Sequence, residues 1–412
     1  MDRSFQASEH NMTRAFEGLR VIDFTQVLSG PLATANMALL GADVIKIEMK
    51  DTGDQTRNLM AEGEWALHGL GPVFVGFNCG KRSIALDLKT EEAKSVVRRM
   101  VEKADVLVEN FKPGVMKRLG FSYEEVKAIK TEIVYCSISG FGQEGPAATA
   151  GAYDGAIQAV SGLMSLTGTP NEGPIRNGFP VADMTTGLTA SFAIASALYR
   201  QLKTGRGQHL DVSMTDSVMS LISFAINRYL INGTEPQLLG NQSATLQTTT
   251  DVYETVDGHI NISVFTDHLI PALCRGLGHP EWAAEERYRS EEGRVKNRLE
   301  IYEELKCLIK TKPTSHWLEK LRTEGVPVAP VLTVPQAIKE EQVRHRDILR
   351  TLPAPHGIEG HITIPGLGFM ASEGTPASNI PPPTLGQHTN EILTEFCYST
   401  REITALRECG AI

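Results

Sequence analysis

The stretch Leu19-Arg-Val-Ile-Asp-Phe24 is a short, apolar run with β-branched residues, of the kind that forms a buried strand. A loop, Thr25-Gln-Val-Leu-Ser-Gly30, follows it. A helix is predicted over Pro31 to Leu40 and ends before Gly41, because proline suits the first helical position and glycine the residue past the end. The run Asp43-Val-Ile-Lys-Ile-Glu48 predicts the next strand. We therefore expect a β-α-β unit, the building block of parallel sheets.

The same alternation of strand and helix continues along the chain. Further strands are predicted at Ser83–Leu88, Asp105–Asn110 and Glu132–Ile138, with helices that begin at Thr90 and at Ser122. Strands separated by helices indicate an α/β fold with a mostly parallel, doubly wound sheet, and such sheets bind ligands at the carboxyl ends of their strands. The loops that matter most should follow Phe24, Glu48, Leu88, Asn110 and Ser139.

The texture of the sequence changes after a long apolar helix and one more strand from Gln208. Asp257-Gly258 separates two strand-like runs and predicts a hairpin, and helical segments follow it. The predicted layout has a loose extension over 1–15, a large domain over 16–231, a smaller α+β domain over 232–331 and a C-terminal part over 332–412 that returns to the large domain.

Composition narrows the class of protein. The chain has 412 residues, of which 41% are hydrophobic and 22% charged, and this composition is typical of globular proteins. Its net charge of −9 argues against a nucleic-acid or membrane-surface binder. Its six cysteines show no CxxC spacing and its histidines no metal-ligand spacing, so neither a metal site nor a disulfide framework is expected. The N-terminus has no apolar signal-like stretch, and we expect a cytoplasmic enzyme with small-molecule substrates.

Asp183 is the candidate for chemistry, in the stretch Arg176-Asn-Gly-Phe-Pro-Val-Ala-Asp183 at the start of a long helix. The unpartnered N–H groups of a first helical turn can hold a carboxylate ionised and oriented for nucleophilic attack. On position alone, an N-cap role for Asp183 is the better interpretation, because aspartate is among the commonest caps.

Basic residues that follow two predicted strand ends favour a chemical role for Asp183 over an N-cap role. Lys89 follows one strand, and Lys112 and Arg118 follow another, where cations can meet phosphates. Together with an Asn110-Phe111 platform and an ionised Asp183, they indicate coenzyme A. The GxGxxG match at 140–145 is a weak dinucleotide signal, since no clear helix or downstream acidic strand end follows it.

The chain resembles the type III acyl-CoA transferases, the CaiB/BaiF family that includes formyl-CoA transferase, carnitine CoA-transferase and alpha-methylacyl-CoA racemase. The resemblance rests on motifs from Phe16 to the C-terminus: Phe16–Phe24, Ser29–Pro31, Leu40–Glu48, Gly53-Asp54 with Arg57, Asn78 with Lys81–Ser83, Val108–Phe111 with Pro113-Gly114, Tyr153-Asp154, the Asp183 segment, Lys203–Gly207 and Leu385–Thr389. It implies a Rossmann-like large domain built from both chain ends, a smaller inserted domain and an interlocked homodimer.

The resemblance also implies site residues. Asp183 matches the family's catalytic aspartate. The positions that match coenzyme A contacts are Leu28, Leu86, Lys89, Asn110, Phe111, Lys112, Arg118, Gly151, Tyr153 and Asp154. Where formyl-CoA transferases have a histidine after the first strand, this chain has Gln26.

The expected reaction moves coenzyme A from an acyl-CoA donor to a carboxylic acid through mixed anhydrides and an aspartyl-CoA thioester on Asp183. Gln26, Val27, Leu28 and Ser29 form the predicted oxyanion loop, and the loop around Gly240 is a candidate cover against water. No permanently bound cofactor is expected.

Two alternatives remain open. A racemase of the same fold needs a base where this chain has Tyr153, and a tyrosine of ordinary pKa near 10 is a poor base at neutral pH. A nonenzymatic or NAD-binding protein would not bind coenzyme A esters. The acids are not fixed by the sequence, although succinyl-CoA is one candidate donor and Arg176 could pair with the distal carboxylate of a dicarboxylic acid.

Overall fold

The computed structural model describes residues 14–374 and 376–412, so most of the predicted 1–15 extension lies outside the described residues. The described chain divides into two compact units. The first runs to Leu163 and includes Arg176–Thr234 and Asp347–Ile412, and the second comprises Met164–Ile175 and Glu235–Arg346. The domain boundaries given above remain predictions.

The strands are listed here in chain order as β1 (Arg20–Asp23), β2 (Asp43–Met49), β3 (Lys81–Leu86), β4 (Val106–Glu109), β5 (Val134–Ser139), β6 (Gly168–Thr169), β7 (Gly173–Pro174), β8 (Gln208–Ser213), β9 (Thr250–Glu254), β10 (His259–Ser263), β11 (Val328–Pro330), β12 (Leu349–Pro353) and β13 (His361–Pro365). Short 3-10 turns lie at Gln55–Asn58, Leu163–Leu166, Asp267–Leu269 and Pro280–Ala284.

The helices follow the same order: α1 (Ser29–Leu39), α2 (Gly63–Leu67), α3 (Pro72–Asn78), α4 (Glu91–Val101), α5 (Val115–Leu119), α6 (Tyr123–Ile129), α7 (Asp154–Val160), α8 (Val181–Thr204), α9 (Met214–Leu221), α10 (Ser223–Asn232), α11 (Ile270–Leu277), α12 (Glu286–Arg289), α13 (Glu291–Lys296), α14 (Arg298–Ile309), α15 (Thr314–Thr323), α16 (Val334–Ala337), α17 (Glu341–His345), α18 (Thr389–Glu395) and α19 (Thr400–Glu408).

A six-stranded sheet with the order β3-β2-β1-β4-β5-β8 forms the centre of the first unit. All of its neighbouring strands pair in parallel. The α/β class and the parallel sheet predicted from the sequence are therefore confirmed. The strand order reverses between β1 and β4, and ligands of such sheets bind in the crevice beyond the carboxyl ends of the strands at that point.

Successive residues of the central strands point to opposite faces, and both faces are buried. Val21 packs with α1 and α8, whereas Ile22 packs with α4, α6, α18 and α19. Val44 and Ile45 also point to opposite faces, since Val44 lies in the same core cluster as Val21 and Ile45 in the same cluster as Ile22. This explains why the strands read as apolar runs rather than as alternating patterns.

The second unit contains the predicted hairpin. Strands β9 and β10 pair antiparallel, and β11 pairs with β10 on the other side. His259 lies opposite Glu254, so the connection spans Thr255 to Gly258 rather than Asp257-Gly258 alone. Buried residues of this sheet, including Tyr253 and Ile260, pack with α11, α14 and α15.

Several predicted boundaries differ from the structure. The third strand begins at Lys81 rather than Ser83 and ends at Leu86 rather than Leu88, because the Lys81 side chain is buried and paired with Asp23. The segment after β8 forms two helices, α9 and α10, interrupted at Ile222.

Among the described residues, α8 is long and apolar enough to cross a membrane by length and composition alone. This is a weak sign, since core helices pass the same test. One side of α8 packs on the sheet and on α1 through Ala190, Ile194 and Leu198.

Candidate active site

A cavity of about 320 Å³ lies at the carboxyl edge of the central sheet, within the first unit. Its lining comes from the segments that follow β1, β2, β4 and β5 and from the first turns of α8 and α9. A volume of this size lies at the lower end of the roughly 300–1,000 Å³ range of small-molecule sites. The cavity therefore suits a reacting group rather than a whole nucleotide.

Asp183 lines this cavity from the first turn of α8. Pro180 occupies the N-cap position, so the interpretation of Asp183 as an N-cap is wrong. The backbone N–H groups of Ala182 and Asp183 donate to Oδ2 of Asp154, at 2.8 and 3.3 Å. Two of the free donors of α8 are thus taken by a different carboxylate.

The Asp183 carboxylate is held instead by the first residue of α1. The hydroxyl and the backbone N–H of Ser29 face this carboxylate and act to lower its pKa. Burial and the neighbouring charge of Asp154 outweigh this effect and raise the pKa of Asp183 to about 6. At neutral pH the carboxylate is ionised for the most part, and it is more basic than an ordinary aspartate.

The loop between β1 and α1 is fixed at both ends. The Gln26 N–H donates to Oδ1 of Asn110 at 2.8 Å, and the Asn110 amide donates back to the Gln26 carbonyl at 2.7 Å. The Val27 N–H donates to Oδ1 of Asp54 at 3.3 Å. Val27 has a φ of 69°, a left-handed conformation that is unfavourable for a β-branched residue. These contacts hold the strained loop in one shape.

Buried ion pairs lie beneath this loop. Lys81 pairs with Asp23 at 3.0 Å and Lys46 with Asp54 at 3.1 Å, and all four side chains are fully buried. The Lys46 ammonium also donates to the Thr25 carbonyl at 2.6 Å. Burial acts to raise the pKa of Asp54, but Lys46 and hydrogen bonds outweigh it and the pKa is lowered. Asp54 therefore acts as an ionised support.

The comparisons with known proteins show the family of the chain. The sequence profile of CoA-transferase family III matches residues 16–389. The chain belongs to this family. It is 34% identical to the human succinyl-CoA:glutarate CoA-transferase, over 98% of the chain and 91% of that protein. It is 40% identical to the acetyl-CoA:oxalate CoA-transferase of Acetobacter aceti, over 81% of the chain and 85% of that protein. The crystal structure of a CAIB/BAIF family protein from Brucella suis has a TM-score of 0.83 and 33% identity, covering 93% of this chain and all of that one.

Most of the predicted site residues of this family III chain meet in the cavity. Those that line it are Gln26, Val27, Ser29, Asn110, Phe111, Lys112, Gly151, Tyr153 and Asp183. Those outside its lining are Leu28, Leu86, Lys89, Arg118 and Asp154. The Leu86 side chain is 1% exposed and packs in the core. Lys89 and Arg118 are exposed past their strands.

Lys112 is the predicted cation that reaches the cavity. Its Nζ lies 3.7 Å from where a Cβ on Gly151 would stand. Nη1 of the Arg118 guanidinium lies 3.6 Å from where a Cβ on Gly114 would stand. The two cations thus flank the loop that follows β4.

Sequence reasoning missed several lining residues, namely Gln55, Pro113, Ile138, Ser139, Gly140, Ala148, Ala150, Ala152 and Met214. Two signals could have found some of them. Gln55 follows Asp54, whose side chain caps the 3-10 turn that Gln55 begins. A Cβ on Gly140 would lie 2.2 Å from the Ala152 Cβ, so the glycine of the GxGxxG match allows two cavity loops to touch.

Proposed function

We propose that this chain is an acyl-CoA:carboxylate CoA-transferase with Asp183 as its nucleophile. The observation that carries the proposal is a carboxylate that lines the cavity at the sheet edge, faces Ser29 and has a pKa raised to about 6. Membership in CoA-transferase family III supports it.

In the proposed reaction, a carboxylate oxygen of Asp183 attacks the thioester carbonyl of the donor. The C–S bond breaks, a mixed anhydride forms, and coenzyme A leaves as a thiolate. The thiolate then attacks the aspartyl carbonyl, which releases the donor acid and leaves an aspartyl-CoA thioester. The acceptor carboxylate attacks this thioester and forms a second anhydride, and the thiolate attacks its acyl carbonyl. The products are the new acyl-CoA and free Asp183.

Each tetrahedral intermediate needs N–H donors aimed at its oxyanion. In the predicted loop the N–H groups of Gln26 and Val27 already donate to side chains, and that of Ser29 faces Asp183. Within the described part of the chain, neither the Leu28 nor the Gly30 N–H donates a hydrogen bond. We propose that the oxyanion is stabilised by this loop at the start of α1, where the helix dipole adds to its N–H groups.

The proposed substrates are short dicarboxylic acids and their coenzyme A esters, with succinyl-CoA as donor. The names of the human and Acetobacter relatives support this class, since both name a dicarboxylate acceptor. Arg176 is exposed, and its Nη1 lies 3.6 Å from where a Cβ on Gly155 would stand, next to Asp154. It is the proposed partner of the distal carboxylate.

We propose that the chain acts as an interlocked homodimer. The first unit exposes large apolar side chains along α8 and α10, including Phe192 at 76%, Leu202 at 83%, Phe224 at 70% and Ile231 at 80% exposure. Large apolar side chains exposed in this number are typical of protein interfaces. A monomeric mass by light scattering at micromolar concentration would contradict the dimer.

The test of the function traps the intermediate. Incubation with succinyl-CoA and hydroxylamine should convert Asp183 to a hydroxamate, detected by mass spectrometry of its peptide, and Asp183→Asn should abolish both the adduct and transfer to glutarate. In deuterium oxide, the α-protons of succinyl-CoA and 2-methylacyl-CoA should not exchange, because Tyr153 replaces the racemase base. Rapid α-exchange without acyl transfer would support the racemase instead.

A further inference from the structure

Asp154 lies at the start of α7 and directs its carboxylate toward the start of α8. Its Oδ2 accepts the Ala182 N–H at 2.8 Å and the Asp183 N–H at 3.3 Å. Asp154 does not line the cavity, although its neighbour Tyr153 does. Its contacts thus point to the backbone that carries the nucleophile rather than to a ligand.

A second set of hydrogen bonds orients Asp154 from behind. The Gln158 amide, one turn along α7 and fully buried, donates to Asp154 Oδ1 at 2.5 Å. The side-chain oxygen Oε1 of Gln158 accepts the backbone N–H of Asn177 at 3.0 Å, in the loop that leads into α8. The start of α7, that loop and the first turn of α8 therefore form one hydrogen-bonded network, and Asp154 is its junction.

The position of Asp154 also sets the chemistry of Asp183. After burial, the charge of Asp154 is the largest cause that raises the pKa of Asp183 to about 6. By accepting the Ala182 and Asp183 N–H groups, Asp154 also removes donors that would otherwise stabilise the Asp183 carboxylate. A carboxylate of higher pKa is the more reactive nucleophile while it remains ionised at neutral pH.

We propose that Asp154 is a positioning residue for Asp183: its carboxylate fixes the first turn of α8 and withholds from the nucleophile the N–H donors of its own helix. This inference rests on the proposed function, because it assigns Asp183 the attack. It replaces the contact with coenzyme A that the family resemblance implies for Asp154.

The first test reads Asp183 directly and needs no turnover. A water-soluble carbodiimide labels protonated carboxyl groups, so labelling of the Asp183 peptide in the intact protein should fall with a midpoint near pH 6, the pKa of this group. In Asp154→Asn the midpoint should move to lower pH, because the like charge is gone. Asp257→Asn is the matched control, since Asp257 accepts the first N–H of α15 at 2.7 Å in the second unit. It should leave the midpoint unchanged.

The second test separates positioning from ligand contact. Asp154→Asn should lower kcat by roughly tenfold to a hundredfold, the cost of a small misplacement of a reacting group, with KM for the acyl-CoA unchanged. If Asp154→Asn fails to fold in a thermal scan, Gln158→Leu loosens the same carboxylate and keeps its charge. It should lower kcat and leave the labelling midpoint near that of the wild type.

An unmoved midpoint, or a raised KM with normal kcat in Asp154→Asn, would overturn the inference and return Asp154 to coenzyme A binding. Failure of the proposed function looks different. In that case the wild type forms no Asp183 hydroxamate, whereas the labelling midpoints still differ between wild type and Asp154→Asn.

Discussion

The Cβ atom that Gly187 lacks would lie 2.7 Å from the backbone carbonyl oxygen of Ser29. Helices α8 and α1 therefore meet where one of them has no side chain. A glycine inside a helix costs about 0.5–1 kcal/mol relative to alanine, so a buried one needs a reason. Here the close approach brings Asp183, one turn earlier on α8, against Ser29 at the start of α1.

We expect Gly187→Ala to push the two helices apart, to destabilise the protein by about 1–3 kcal/mol and to lower kcat for CoA transfer. Urea unfolding and steady-state kinetics measure the two effects. Gly76→Ala in α3 is the control, because a Cβ there meets no atom within 4 Å. Wild-type kcat in Gly187→Ala would contradict the role given to this contact.

The pH dependence follows from Asp183. As the proposed nucleophile, Asp183 attacks in its ionised form, so kcat/KM should rise with pH through a midpoint near its pKa of about 6. Glu109, whose pKa burial raises to about 7, is a second buried carboxyl group with a raised pKa beside the cavity loops. Glu109→Gln should keep the midpoint near 6. Loss of the midpoint in this variant would assign the rise of kcat/KM with pH to Glu109.

The same shift links stability to pH. Because the pKa of Asp183 rises from 3.8 to about 6 on folding, the folded chain binds more protons than the unfolded chain between these values. Asp183 should therefore lower the free energy of unfolding as the pH rises through this window, and Asp183→Asn should remove this contribution. Urea unfolding of both proteins at pH 4 and pH 7 measures the difference.

Removal of the Asp54 charge should be costly. Asp54→Asn leaves the Lys46 ammonium buried with a weaker partner and loosens the support of the Val27 N–H. The expected loss of stability is about 3–5 kcal/mol, as for other broken buried pairs, with a fall in kcat. Asp51 lies in the same segment after β2 as Asp54, and its side chain is exposed, so Asp51→Asn should change neither the stability nor kcat. Equal stabilities would mean that the pair does not hold the loop.

The exposed cations should act on affinity. Lys112→Ala, Lys89→Ala and Arg118→Ala should each weaken binding of a coenzyme A ester by about 1–3 kcal/mol with little change in kcat, since hydrogen bonds to charged groups are of this size. Isothermal titration with a nonhydrolysable ester measures this. Lys339→Ala, in the second unit, is the control, and unchanged binding in the first three variants would make them surface charges.

The sequence was informative wherever a local signal decided the structure. The apolar runs that became β1, β2 and β4 and the Ser122 capping box needed only nearby residues. The placement of Asp183 in the first turn of its helix was also local, because the Gly/Pro-rich loop precedes it.

The sequence misled where the partner lies far away along the chain. Lys81 begins β3 because Asp23, 58 residues earlier, pairs with it in the core, whereas a lysine at a strand end reads as exposed. The donors for Asp183 come from α1, not from its own helix, because Asp154 takes two of the α8 donors. No local pattern distinguishes these arrangements.

The burial of the ion pairs beneath the β1–α1 loop has a consequence for salt. Exposed charges are screened beyond a Debye length of about 8 Å at physiological ionic strength, whereas buried pairs are screened much less. Added salt should therefore weaken the proposed contacts of Lys89, Lys112 and Arg118 with phosphates. Lys46 and Asp54 should still hold the β1–α1 loop in its conformation. At high salt concentration the enzyme should therefore bind coenzyme A esters more weakly, whereas its turnover rate at saturating ester should be unchanged.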